Sequence, residues 1–178
     1  MKKRDFLKCL VTACAVGAIS QRARADDFLT LDKAQSTLFP GEKLTAVPIT
    51  LTADQQKQIQ LLSGVRVRSE TVNAWKSGNG GWLIVDNVIG KHEFIDFALA
   101  LTPKGSVKGV EIMSYRETYG REVMNPKWRA LFTGKTSGDP VQIDKDIKNI
   151  SGATLSSVHI TDGVRRLLRT WEVALRGK

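Results

Sequence analysis

The sequence predicts an α+β fold: a twisted antiparallel sheet with flanking helices, built as a single domain. Three observations carry that expectation. Three β-rich runs follow one another between residues 82 and 115, separated by short turns. An amphipathic helical pattern occupies residues 156–176. The 178 residues suffice for one domain with a buried core and are too few for two.

Residues 1–25 read as an export signal, leaving residues 26–178 as the domain. Lys2, Lys3, Arg4 and Lys8 precede an apolar run at residues 9–19, and Ala23-Arg24-Ala25 fits a small-x-small cleavage site. Lys3-Arg4-Asp5-Phe6-Leu7-Lys8 resembles the twin-arginine export motif with Lys for the first Arg. Two other readings stay open: a lipid anchor at Cys14, from the lipoprotein-like Val11-Thr12-Ala13-Cys14, and an uncleaved amphipathic leader.

Within the domain, residues 26–39 show helical spacing and end at Pro40-Gly41. Residues 44–51 form a strand, and Pro48 places it at a sheet edge. Thr52 is the expected N-cap of a second helix that runs to Ser63 and ends at Gly64. The alternation Val65-Arg66-Val67-Arg68 predicts a strand over 65–72. After the Gly78-Asn79-Gly80-Gly81 turn come strands at 82–89, 93–102 and 106–115, the last two joined by Pro103-Lys104-Gly105. Residues 126–134 form a short helix. In the helix at 156–176, Val164, Leu167, Leu168, Trp171 and Leu175 make the apolar stripe, with Arg165, Arg166, Arg169 and Glu172 away from it. Gly163 costs that helix about 1 kcal/mol relative to Ala. The expected arrangement has helices at the sheet's edges and on one face.

The formal charge of +9 is no sign of nucleic-acid binding. Setting aside the six cations and Asp5 of residues 1–25 leaves 21 basic and 17 acidic residues, a net of +4. A mildly basic body suits work near anionic membranes or with an anionic cofactor. Both cysteines, Cys9 and Cys14, lie in the leader, so the domain has no disulfide or thiol chemistry. His92 and His159 share no metal-ligand spacing, and no Ser-His-Asp or Cys-His arrangement supports hydrolysis.

The chemistry points to Ser151-Gly152-Ala153-Thr154-Leu155-Ser156-Ser157, a small-residue turn before the last helix. Gly152 permits a tight backbone, Ala153 leaves space, and Thr154, Ser156 and Ser157 put hydroxyls where a helix exposes unpaired N–H groups. Residue types alone allow either an ordinary Ser/Thr N-cap or a phosphate site.

This segment resembles the SGAT-type flavinylation motif of the FMN-binding domain family, which includes the G subunit of Rnf electron-transport complexes and the C subunit of the sodium-pumping NADH:quinone reductase. The resemblance extends upstream through Gly90-Lys91-His92, residues 105–112, residues 114–123, Trp128 and Phe132-Thr133-Gly134-Lys135, covering about residues 85–170. It implies FMN joined by a phosphoester to Thr154, installed by a separate flavin transferase that takes FMN from FAD. It also places Glu117, Tyr119 and Gly120 near the flavin, with Tyr119 stacking on the isoalloxazine and Arg116 or Arg121 meeting the phosphate or a partner. One departure stands out: the position three before the motif's serine, usually acidic, is Lys148, and the nearest acids are Asp144 and Asp146. Lys148 leaves open covalent attachment, non-covalent binding and loss of FMN.

Other residues keep two readings each. Trp128 walls the pocket or packs in the core. His159 meets the flavin or serves the fold. The expected function is an electron carrier outside the cytoplasm, between a membrane-bound donor and an unknown acceptor, with no nucleic acid as partner. Its rivals are a flavin-dependent reductase acting on an exported substrate and a non-redox accessory domain.

Overall fold

The computed structural model describes residues 29–178, so the expected export signal lies outside the described residues. The elements in chain order are α1 (Leu31–Leu38), β1 (Leu44–Thr50), α2 (Ala53–Ser63), β2 (Thr71–Ser77), β3 (Trp82–Ile89), β4 (Phe94–Leu101), β5 (Val107–Tyr115), α3 (Pro126–Arg129) and α4 (Thr154–Thr170). A 3-10 turn, Ala130–Phe132, follows α3, and a π turn, Trp171–Leu175, follows α4. The five strands form one antiparallel meander in the order β1-β2-β3-β4-β5. Pro48 sits in the edge strand β1, opposite Asn73.

The sheet is covered on both faces, not one. Successive strand residues point to opposite sides. From β3 and β4, Ile84, Val88, Ile95, Phe97 and Leu99 join the larger core with Ile160, Val164 and Leu168 of α4. Leu83, Ala98 and Ala100 face the other way and pack with Ala34, Leu38 and Phe39 of the α1 segment. The small alanines belong to a close approach: a Cβ at Gly109, opposite Ala100, would lie 2.8 Å from Leu38.

Local chemistry sets the helix ends. Thr52 and Gln55 form a reciprocal capping box at α2, and Gly64 ends that helix at φ 69°. The first helix starts at Leu31 rather than residue 26. Thr30 caps it, and the N–H of Leu29 goes to Met113 O at 2.7 Å, committing the backbone before the helix to β5; residues 26–28 lie outside the described residues.

Two further expectations need correction. Residues 65–69 are not a strand; β2 begins only at Thr71. Their alternation arises because Val67 packs against the core while Arg66 and Arg68 stay exposed, and the Arg66 carbonyl accepts from Arg166 at 3.2 Å. Arg166 itself is buried, not on the solvent side. Its guanidinium donates to Asp86 at 2.6 Å, on the face of β3 against which α4 packs. At Gly163 α4 lies close against the sheet: a Cβ there would sit 2.9 Å from Phe97 and Val88. Its helix-propensity cost accompanies close packing that alanine would disrupt.

Candidate functional site

Three segments converge at the N-terminus of α4: the β3–β4 turn at residues 90–93, the loop after β5 at residues 116–120, and residues 151–154. Together they bound a cleft of about 450 Å³, lined by Lys91 and His92, by Glu117, Thr118 and Tyr119, and by Gly152 through Ser156. That volume lies in the range of small-molecule sites. The clefts beside Arg166 (about 180 Å³) and between Trp82 and Trp171 (about 560 Å³) contain none of the motif's hydroxyls.

The motif starts the helix without capping it. α4 begins at Thr154, and its N-cap is Ala153, which offers no side-chain acceptor. An ordinary Ser/Thr cap is therefore not what this segment provides, and the first turn keeps its N–H groups and dipole directed at the cleft end. Gly152 takes φ +84° with open space around it, so conformation alone requires glycine.

The hydroxyls are not equivalent. Ser157 is fully buried and shares its hydroxyl between Asn149 Oδ1 and Thr154 O, both at 3.0 Å. Ser156 is buried, with its Oγ 3.0 Å from the Tyr115 hydroxyl. Thr154 and Ser151 are exposed, and of these only Thr154 lines the cleft.

Tyr115, which heads the polar segment expected near the flavin but carried no role of its own there, joins the segments. Its hydroxyl donates to Tyr119 O at 2.5 Å and meets Ser156, tying the loop after β5 to α4. Burial pushes its pKa up, Ser156 partly offsets that, and the nearby Glu117 and Glu122 carboxylates push it up further, so the phenol keeps its proton. Gly120 makes this joint possible. It takes φ +90°, and a Cβ would lie 2.5 Å from Tyr115 Oη and 3.3 Å from both Ala153 Cβ and Ser156 Oγ. Its missing side chain makes room for protein, and it is not a lining residue of the cleft.

Glu117 is only 8% exposed, and its Oε1 accepts from the N–H groups of His92 (2.6 Å) and Glu93 (3.0 Å). Burial pushes its carboxyl up, but the N–H groups of Glu93, His92 and Lys91 outweigh this and hold it below the usual carboxylate value. Tyr119 is 80% exposed and Leu155 46%, placing large apolar groups at the cleft's lip.

Other residues support the site from behind. Trp128 is buried edge-on against Phe132, with ring centroids 5.2 Å apart, and its indole N–H donates to Lys148 O at 2.8 Å. It holds the strand of chain before the motif and does not line the cleft. The Lys148 side chain is exposed and also outside the lining. Asp146 serves the fold: it accepts from Val141 N and Gln142 N and pairs with Lys135 Nζ at 3.1 Å. His159 Nδ1 lies 2.6 Å from Ile89 O, so that nitrogen carries the hydrogen and α4 grips the base of the β3–β4 turn.

Among the described residues no His, Cys, Asp or Glu cluster could hold a metal ion, and no helix is long and apolar enough to cross a membrane. The cleft instead fits an anionic, partly aromatic molecule: Lys91 and the uncapped helix end for a phosphate, Tyr119 and Leu155 for a flat ring.

Residues 90–169 match the family model described as the FMN-binding domain. This segment contains all three parts of the cleft. No curated protein matches the chain.

Proposed function

Taking as premise that the chain carries an FMN-binding domain over residues 90–169, with FMN as its cofactor, we propose that it is an exported electron carrier whose FMN is joined by a phosphoester to Thr154. The single observation that carries the attachment site is the contrast among hydroxyls: Thr154 is exposed in the cleft, at an uncapped helix N-terminus, while Ser156 and Ser157 are buried and hydrogen-bonded. In maturation by a flavin transferase, Thr154 Oγ1 gains the bond to the FMN phosphorus and loses its proton. The pyrophosphate bond of FAD breaks, and AMP leaves.

FMN supplies the electron exchange when bound. The chain's own residues bind and orient it. The N–H groups at the start of α4, with Lys91, meet the phosphate charge; Tyr119 and Leu155 cover part of the ring. The open cleft leaves an edge accessible to a membrane-bound donor and a downstream acceptor through small, transient contacts. A covalent link suits a protein outside the cytoplasm, where a dissociating cofactor is lost.

The test is intact mass and visible spectrum of the chain co-expressed with a flavin transferase, beside Thr154→Ala. The expected wild type gains the mass of one FMN and stays yellow after denaturation, and the variant does neither. A yellow wild type that bleaches on denaturation overturns the covalent link; the engagement of Asp146 in the fold, with Lys148 at the usual acidic position, would then explain why a transferase passes it by. A colourless wild type in the presence of FMN overturns the flavin reading.

A further inference from the structure

We infer that Glu117 is a positioning residue that locks residues 90–93 into the wall of the flavin cleft, holding Lys91 and His92 across from Thr154. The inference rests on the FMN reading above and deepens it.

The contact is built from both sides. Glu117 is buried, and its Oε1 accepts from His92 N at 2.6 Å and Glu93 N at 3.0 Å. Gly90 passes so close that a Cβ would lie 2.4 Å from that same oxygen and 3.0 Å from Cγ of Glu117. Gly90 is not among the glycines with positive φ. Its requirement for glycine is therefore one of space, and the group that needs the space is the Glu117 side chain. Gly90 N closes the turn onto Glu93 O at 2.7 Å, and His159 holds Ile89 O from α4.

The fold alone does not call for this arrangement. Residues 91–93 are exposed, so water would satisfy their N–H groups as it does in most surface turns. Burying a carboxylate to do it costs desolvation, which its N–H partners offset. What the chain gains is a fixed turn in place of a mobile one, and the fixed residues line the cleft. The helix that carries Thr154 grips the same turn through His159, so hydroxyl and turn are held in one frame.

The test compares Glu117→Ala, Glu117→Gln and Gly90→Ala with wild type in the full chain. The first readout is amide hydrogen exchange at His92 and Glu93 in FMN-free protein. The second is the fluorescence and visible band shape of the FMN-loaded protein. Glu117→Ala is expected to speed exchange at those two amides at least about tenfold while β4 and β5 stay protected, and to increase flavin fluorescence as the ring loses its wall. Glu117→Gln keeps an acceptor oxygen and restores most of the protection. Gly90→Ala reproduces the loosening by pushing the carboxylate away while leaving Glu117 in the chain, so it decides the matter should Glu117→Ala fail to fold. Wild-type loading with unchanged exchange and unchanged flavin spectra in Glu117→Ala and Gly90→Ala overturns this inference alone. A wild type that takes up no FMN overturns the flavin reading and this inference together.

Discussion

The two turns at opposite ends of β4 are made differently. The β4–β5 turn is plugged: a Cβ at Gly105 would lie 2.1 Å from the Trp171 ring, which the π turn after α4 presses onto it. The β3–β4 turn is gripped by a carboxylate and an imidazole and borders the open cleft. One glycine makes room for an aromatic ring, the other for a charged oxygen. Apolar plugging fills the turn itself with a ring, and the cleft beside it, between Trp82 and Trp171, holds none of the motif's hydroxyls. Polar gripping fixes the backbone equally well while keeping charged groups at a wall. The same helix serves both ends, its C-terminal side stabilising and its N-terminal side exposing a hydroxyl.

The largest effect should come from the plugged end. Gly105→Ala introduces a clash with Trp171 at a position of φ +80°, and a loss of about 3 kcal/mol is expected by denaturant unfolding, with flavin loading of the surviving folded protein intact. Trp128→Phe removes the donor to Lys148 O and should cost about 1 kcal/mol. It should also slow flavinylation, because the chain before the motif loses its anchor. Thr154→Ala at the exposed cleft position should change stability by no more than about 0.5 kcal/mol while abolishing covalent flavin. That separation of stability from loading is what the comparison of ends predicts.

Acid sharpens the same contrast. Glu117 and Asp146 both have folded pKa values held below their usual ones. Their contribution is fully present above the unfolded carboxylate range of about pH 4 and is lost as pH falls through the folded values. Hydrogen exchange followed from pH 7 down to about pH 3 should therefore show residues 90–93 and 141–147 loosening before the Trp171 plug, which rests on apolar contact. Simultaneous loosening of both ends would contradict this.

Much of the fold was legible in sequence because its signals are local. The boundaries of β3, the Thr52 cap, the Gly64 stop and the edge position of Pro48 each follow from a few neighbouring residues. The misreadings come from partners distant in the chain. An extended segment at 65–69 alternates like a strand but has no ladder, and Arg166 looks solvent-facing until Asp86 is brought beside it. The site divides in the same way. Thr154 was legible as the end of a short motif, and Glu117 as part of a polar loop. Tyr115 as the joint and Gly90 as the space for Glu117 were not, because each is defined by residues from another element. Trp128 shows the converse: of its two sequence readings, pocket wall or core, its burial edge-on against Phe132 fits the second.

The most direct measurement of the central claim is fragment mass mapping of the matured, exported chain after proteolysis. The account predicts one FMN-sized addition, confined to Thr154, with Ser151, Ser156 and Ser157 unmodified. An addition on Ser156 or Ser157, or none on any residue of 151–157 in yellow protein, would contradict it.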